Sequence, residues 1–336
     1  MRSLVCREPG ALVLEERPKP VRGADEVLIR IRRVGICGTD IHIFNGRQPY
    51  LSYPRVMGHE FAGEVEAAPG DSGFKPGDRV TVMPYLSCGH CSPCRAGKTN
   101  CCVNLEVLGV HRDGALADYV SVPARFVMRV DGLTLDEAAM IEFLAIGAHA
   151  VGRADVQADE RVLVVGSGPI GLAAALFAKL RGGQVTVLDG RSDRLDFAQR
   201  SIGVAHAVLL SDETPARLSE LTDGEYFDVV FDATGNSKAM EAGFRYVAHG
   251  GKYALISVVT SDITFSDPEF HKRETTLLAC RNATQGDFDT VMAAMRAGQV
   301  PTAAFASHRT TLDEMSATLE KWIEPESHVI KALVEV

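Results

Sequence analysis

Three groups of residues in this 336-residue chain carry side chains suited to metal or nucleotide chemistry. The first is the loop CGHCSPCRAGKTNCC, residues 88–102, where Cys88, Cys91 and Cys94 stand at C-x2-C-x2-C spacing with Cys101 and Cys102 close behind. Thiolates so spaced can close a tetrahedral site around a structural zinc. Spacing alone leaves either Cys101 or Cys102 as the fourth ligand. The second group is GICGTDIH, residues 35–42, followed by Gly58-His59-Glu60. Cys37, His59 and Glu60 offer a thiolate, an imidazole and a carboxylate, the donor types of an open zinc site that keeps one position for water or substrate. A Cys-Gly turn or a His-Glu pair by itself is more often structural. Together, and beside a cysteine loop and a nucleotide motif, they point to a reactive centre.

The third group is Gly166-x-Gly168-x-x-Gly171, with Pro169 and Ile170 between the last two glycines. With 31 glycines in the chain the motif alone is weak, but its setting strengthens it. It follows the apolar run VLVV, opens a helix near Ile170, and precedes by about 20 residues an acidic residue, Asp189, at the end of QVTVL. Glycines let the backbone approach a pyrophosphate, whose charge then sits at the helix N-terminus. Asp189 can accept hydrogen bonds from an adenosine ribose and would repel a 2′-phosphate, which favours NAD over NADP. Arg191 and Arg194 are near enough in sequence to meet a phosphate.

Such groups need rigid elements to hold them. In EVLIRIRRVGIC, residues 26–37, Val27, Ile29 and Ile31 alternate with Leu28, Arg30 and Arg32, the period of a half-buried strand running into Cys37. Turn signals in NGRQPY, APGDSGFKPGDRV and HRDGAL follow closely, so the first third reads as short strands and irregular loops. Around residue 135 the texture changes: LTLDEAAMIEFLAIGAHAVGRA is helix-like, with Thr134 or Asp136 as N-cap. From Arg161 onward, apolar runs such as RVLVVGSG, QVTVLDG and FDVVFDATG alternate with helical stretches, the pattern of βαβ units on a parallel sheet. The tail from Gln285 returns to mixed helix and strand and ends in HVIKALVEV. An α/β chain of roughly two domains, at about 150 residues each, fits the length.

Composition narrows the setting. The chain is 46% hydrophobic and 24% charged, as ordinary globular proteins are. A formal net charge of −9 disfavours long-range attraction to nucleic acid or to an anionic membrane. No apolar run approaches the roughly 18 residues needed to span a bilayer, and MRSLVCREPGALVLEERPKP lacks a secretory core, so the cytoplasm is the expected compartment. There, clustered cysteines are more often metal ligands than disulfides.

GICGTDIH, GHEFAGEV, GDRV, the cysteine loop and GSGPIGL stand in the order found in zinc-dependent medium-chain alcohol dehydrogenases. The chain resembles that family over essentially its whole length, in particular the sorbitol-like branch of polyol and sugar-acid (hexonate) dehydrogenases. The resemblance implies a GroES-like, mostly-β catalytic domain over 1–146, a Rossmann doubly wound parallel-sheet NAD domain over 147–283, and a return to the catalytic domain over 284–336. It also implies two zincs per chain, one catalytic and one structural. The family's loop pattern, C-x2-C-x2-C-x7-C, lands on Cys102 and leaves Cys101 spare, so Cys88, Cys91, Cys94 and Cys102 would hold the structural zinc. Cys6 and Cys280 likewise receive no role. Cys37, His59, Glu60 and Glu142 of MIEFLAIGAHA would serve the catalytic zinc; Phe143 stands where those relatives usually carry proline. Asp40 would orient His59, and Thr39 and His42 would relay the proton, since imidazole titrates near neutral pH. Gly166, Gly168, Pro169, Ile170, Gly171, Asp189 and Arg194 would bind NAD. Arg281 and Asn282, in HKRETTLLACRNA, would meet a polar substrate, because guanidinium can grip a carboxylate through two hydrogen bonds.

The function expected from these residues is hydride transfer from a secondary alcohol of a polyol or sugar acid to NAD, by a homo-oligomer, dimer or tetramer, that binds neither nucleic acid nor membrane. A threonine-type amino-acid dehydrogenase would share the metal and dinucleotide motifs. A zinc-binding nucleic-acid module would need a basic patch, and the cysteine loop brings only Arg95 and Lys98. A scaffold that kept the fold but lost the reaction would not need Cys37, His59 and Glu60 intact.

Overall fold

The alternating segment EVLIRIRRVGI forms an eleven-residue strand, Glu26–Ile36, in a computed structural model that describes residues 1–336 apart from the Pro325 side chain. Val27, Ile29 and Ile31 are buried as the pattern predicts, and Arg30 is exposed. Leu28, expected on the wetter face, is buried as well. The strand sits in the middle of its sheet, where both faces are more covered than at an edge. Glu60–Ala67 runs antiparallel along one side of it, while Tyr119–Pro123 pairs with its first half and Lys331–Glu335 with its last residues. Arg79–Val82 and Val127–Arg129 extend the sheet beyond Glu60–Ala67, and Ala306–Thr311 joins Lys331–Glu335 in parallel.

This pairing brings distant pieces of sequence to one end of the sheet. Gly35 lies opposite Glu60 on one side and Leu333 on the other, so Cys37, His59, Glu60 and Lys331 gather within a few residues of one register. Directly after the strand, Cys37 caps the short helix Gly38–Phe44: its sulfur accepts from the Thr39 N–H at 3.2 Å, and Asp40 accepts from the Cys37 N–H at 3.0 Å. A reciprocal cap of this kind fixes the first turn and hence the direction of the Cys37 side chain.

The helix-like stretch after residue 134 is two helices, Leu135–Ala139 and Ile141–Ala154. Thr134 is the N-cap, exchanging hydrogen bonds with Glu137. Asp136 is not a cap: its carboxylate instead bridges Arg33 at 2.7 Å and Arg309 at 2.6 Å, which ties the helix to two strands. The chain divides into two compact units, Met1–Glu142 with Thr284–Val336, and Phe143–Ala283. The division thus falls two residues into the Ile141–Ala154 helix, after Glu142, which Tyr85 engages from within the first unit.

The second unit is built on a six-stranded parallel sheet in the order His206–Leu209, Gln184–Asp189, Arg161–Val165, Phe227–Asp232, Val247–Leu255, Thr276–Ala279. Val162, Leu163 and Val164 are completely buried, which explains why the strand reads as a continuous apolar run instead of an alternating one. Chain order reverses beside Arg161–Val165, and ligands of such sheets bind at the strand ends next to that reversal. The architecture is therefore a GroES-like unit plus a Rossmann unit. No helix among the described residues is long and apolar enough to cross a membrane.

Candidate active site

At the end of the first unit's sheet four ionisable side chains meet out of solvent. Asp40, His59, Glu60 and Glu142 are each no more than 5% exposed, and the Cys37 sulfur lies 3.0 Å from His59 Nε2. Donor atoms of Cys37, Asp40 and His59 lie within 4.8 Å of one another, as do those of His59, Glu60 and Glu142. Asp40 holds the two ligand-bearing segments in place, accepting from the Cys37 N–H and, at 3.1 Å, from the Gly58 N–H. Its carboxylate stands 3.8 Å from His59 Nδ1, close enough to favour a proton there but beyond a hydrogen bond.

Burial shapes the charge of this cluster. It pushes the Cys37 thiol up, and it pushes the Glu142 carboxyl up to about 7 against the opposing pull of His59. At His59 burial works against the imidazolium, yet the neighbouring Cys37 and Asp40 charges outweigh it and raise the pKa well above its ordinary value. Two buried polar atoms, His59 Nδ1 and Glu142 Oε2, have no hydrogen-bond partner. A dry pocket of thiol, imidazole and carboxylates with unused donor atoms fits a divalent cation, whose charge would make the ionised forms stable together. The ligand types, one sulfur, one nitrogen and carboxylate oxygen, suit zinc.

Two participants escaped the sequence reading. Tyr85, buried just before the cysteine loop, donates its hydroxyl proton to Glu142 Oε1. Lys331, 0% exposed, pairs with both oxygens of Glu60 at 2.8 and 2.6 Å. Lys331 did leave a signal, a lone cation inside the apolar strand of HVIKALVEV. A fully buried lysine is rare unless paired.

The cysteine loop resolves its own ambiguity. Cys88, Cys91, Cys94 and Cys102 place their sulfurs within 4.8 Å of one another, with Cys91 to Cys94 at 3.3 Å and Cys91 to Cys102 at 3.8 Å. Cys101 lies in the tight turn Thr99–Cys101 and is exposed. The turn swings consecutive side chains apart, so only Cys102 points inward. The backbone N–H of His90 draws the Cys88 thiol down to about 6, and that of Cys94 lowers Cys91; desolvation and the Cys91 sulfur push Cys94 up to about 12. Four sulfurs gathered within 4.8 Å of one another fit the four-ligand demand of a structural zinc.

In the second unit, Gly166 has φ of +90°, and a Cβ on Gly171 would sit 1.8 Å from the Gly166 oxygen. Glycine at both positions therefore closes the turn from Arg161–Val165 into the Pro169–Leu180 helix, whose Gly168 cap has no side chain to occupy the first N–H groups. Asp189 Oδ2 accepts from the Ser167 N–H at 2.5 Å and Oδ1 from the Arg191 N–H at 2.8 Å, so the acidic residue is locked beside the glycine turn. Arg191 is committed to Asp193 at 2.8 Å, whereas Arg194 lies next to Gly168. The geometry suits a dinucleotide with Asp189 at its ribose. Asp189→Ala should lower kcat/KM for NAD by about ten- to hundred-fold, the worth of one to two hydrogen bonds to a charged group at about 1.5–3 kcal/mol. It should also narrow the NAD/NADP ratio, which parallel initial-rate measurements with the two cofactors would read.

The remaining expected residues are placed as follows. Thr39 is half-buried beside Cys37, and His42 is exposed one helical turn further on, an i, i+3 pair on one face. Arg281 is exposed and Asn282 adopts φ of +53°; both belong to the second unit, just before the chain returns to the first.

Residues 23–132 match the alcohol dehydrogenase GroES-like domain, and residues 169–297 match the zinc-binding dehydrogenase family. The chain is 40% identical to L-galactonate-5-dehydrogenase of Escherichia coli (strain K12) over 335 residues, covering 99% of this chain and 98% of that one. It is 32% identical to sorbitol dehydrogenase of Halalkalibacterium halodurans over 322 residues, covering 94% of each. Among solved structures, an alcohol dehydrogenase, RspB, of Escherichia coli CFT073 in complex with NADH superposes with a TM-score of 0.93 at 29% identity, covering 100% of this chain and 99% of that one.

Proposed function

The chain belongs to the zinc-dependent medium-chain alcohol dehydrogenase family, and we propose that it oxidises a secondary hydroxyl of a sugar acid or, less efficiently, of a polyol, passing hydride to NAD. The buried cluster of Cys37, His59, Glu60 and Glu142, in which Glu142 Oε2 has no hydrogen-bond partner, is the observation that carries this reading. Likeness to the galactonate and sorbitol dehydrogenases supports the substrate class.

When bound there, zinc supplies a Lewis acid that lowers the pKa of a coordinated hydroxyl toward neutrality. NAD held at Gly166–Gly171 and Asp189 supplies the hydride acceptor. The protein's own residues do the rest. Cys37 and His59 hold the metal, and Asp40 fixes both of their segments through the Cys37 and Gly58 N–H groups. The hydroxyl proton passes to Thr39 Oγ1 and on to a ring nitrogen of His42, which is exposed and can hand it to water. On the family resemblance, the Arg281 guanidinium would suit a substrate carboxylate and the Asn282 amide a hydroxyl.

The other parts of the reading are coarser. The eight cysteines are unbridged, which suits the reducing cytoplasm. Leu277, on the edge strand Thr276–Ala279, is 41% exposed, and a second copy extending that edge would cover it, in a dimer or tetramer.

The carboxylate preference has one residue to test. Arg281→Ala should cost about ten- to hundred-fold in kcat/KM on a hexonate, from a charge-assisted hydrogen bond of about 1.5–3 kcal/mol. A matched hexitol should lose less, and a short secondary alcohol least. Rates are compared between wild type and variant with NAD saturating and zinc content equal. Equal losses on all three would remove Arg281 from substrate recognition and leave the sugar-acid preference unsupported.

A further inference from the structure

The segment that carries Arg281 and Asn282 leaves the second unit's sheet from its edge. Thr276–Ala279 is the last strand of the six and pairs with Val247–Leu255, with Leu255 opposite Ala279. An edge strand has sheet partners on one side alone, so its end is held less firmly than that of an inner strand. The ladder runs one bond further, from the Cys280 N–H to the Leu255 carbonyl at 2.9 Å. Beyond it the chain turns sharply: Asn282 has φ of +53°, a left-handed conformation that a residue other than glycine keeps where its surroundings fix it. Cys280 and Ala283 are buried on either side of the exposed Arg281. Where the guanidinium of Arg281 can reach is therefore set by the path of the backbone past Ala279 and Cys280.

A side chain from outside the sheet holds that path. Arg153, in the last turn of the helix Ile141–Ala154, donates its Nε proton to the Ala279 carbonyl at 2.7 Å. Burial pushes the Cys280 thiol up to about 11 against the opposing pull of Arg153, which places the guanidinium near that residue too. The helix end is itself pinned to the neighbouring strand. Lys252 donates to the Ala154 carbonyl at 2.7 Å and to that of Asp155 at 3.3 Å, engaging carbonyls that have no partner within the helix. An arginine in a last helical turn is ordinarily explained by the helix dipole. Here its Nε is spent on another element, at the residue two before Arg281.

We propose that Arg153 is a positioning residue for substrate recognition: by holding the Ala279 carbonyl it fixes the point at which the chain leaves the edge strand, and so the reach of Arg281 toward the carboxylate of a sugar acid. This deepens the sugar-acid reading of Arg281 and rests on it. Arg153, Lys252 and the segment they hold all lie in the second unit. A grip through two parallel hydrogen bonds depends on direction as well as charge, so a small shift of the backbone weakens it.

The test is a double-mutant cycle read on a hexonate and the matched hexitol, with NAD saturating, zinc content equal and NADH affinity measured alongside. Arg153→Met keeps the side chain's bulk and removes its donors. It should lower kcat/KM on the hexonate by about three- to tenfold, part of the about ten- to hundred-fold that Arg281→Ala removes, with most of the change in KM. On the hexitol, and in the dissociation constant for NADH, it should stay within about twofold, as a group remote from both would. Arg153→Lys, which can still donate to the carbonyl, should recover part of the loss. Arg153 is exposed, so both variants should fold. In the Arg281→Ala background, Arg153→Met should change the hexonate rate by less than about twofold, because groups that act through one another do not add. Equal losses on hexonate and hexitol, or a loss that persists undiminished without Arg281, would make Arg153 a general brace and overturn the assignment. No loss from Arg153→Met while Arg281→Ala is hexonate-specific would overturn the positioning role alone. If Arg281→Ala itself costs both substrates equally, the sugar-acid reading of Arg281 fails and the role of Arg153 falls with it.

Discussion

Replacing His59 with alanine should remove one of two zincs per chain and lower kcat/KM by about a thousandfold. His59 contributes Nε2, 3.0 Å from the Cys37 sulfur, in a pocket closed to water, so no solvent molecule can readily replace it. Lewis-acid stabilisation of developing charge is worth several kcal/mol, and about 4 kcal/mol corresponds to about three decades in rate at ~1.4 kcal/mol per decade. The proposed dinucleotide residues, Gly166 to Gly171 and Asp189, all lie in the second unit, so the dissociation constant for NADH, read by fluorescence titration, should stay within about twofold. This separates loss of the catalytic metal from general damage. Zinc content by mass spectrometry, NADH affinity and initial rates on one preparation give the answer. A variant that kept two zincs and wild-type turnover would show that His59 is not a ligand.

The second large effect is on stability. Cys102→Ser should lose the other zinc and destabilise the chain by about 3 kcal/mol or more, a modest share of the roughly 10–16 kcal/mol that structural zinc contributes in small domains. The loop of residues 88–102 has little apolar packing of its own: Cys102 is buried at 2%, while most of its neighbours in the loop are exposed or half-exposed. On the proposed structural site, four sulfurs around one zinc would hold it. Cys101→Ser removes an exposed thiol outside the sulfur cluster and should change stability by no more than about 0.5 kcal/mol. Denaturant unfolding with zinc counted before and after distinguishes the two. The reverse pattern, Cys101→Ser losing the metal, would mean the loop is threaded differently.

Much of this site was legible because its chemistry depends on residue types at short spacing. Cys88, Cys91 and Cys94 lie close in sequence, as do Gly166, Gly168 and Gly171, and local spacing survives folding. The choice of Cys102 over Cys101 was not contained in that spacing; it came from the family resemblance, and the burial of Cys102 against the exposure of Cys101 after the Thr99–Cys101 turn agrees with it. Alternation found the Glu26–Ile36 strand yet assigned Leu28 to the wrong environment, since a period of two reports one buried face and a central strand can bury both. The helix break at Met140 and the Asp136 bridge to Arg33 and Arg309 are tertiary choices that competed with an ordinary N-cap signal. Tyr85 was invisible as a participant because its partner Glu142 lies far away in the chain, and Lys331 showed only as a lone cation in an apolar strand, with its partner Glu60 271 residues away.

Whether hexonate oxidation is the reaction comes down to one comparison: initial rates of NADH formation by the two-zinc protein on a hexonate and on L-threonine at matched concentrations, with NAD saturating. Both substrates carry a carboxylate and a secondary alcohol, and they differ in chain length, in the hydroxyls along it, and in the ammonium group. On the proposed reading Arg281 and Asn282 would supply donors for a carboxylate and a hydroxyl, and neither would offer an anion to an ammonium. The expected result is kcat/KM at least about tenfold higher on the hexonate, equivalent to ~1.4 kcal/mol of preferential transition-state binding. Faster turnover of threonine, or no NADH from any hexonate, would contradict it.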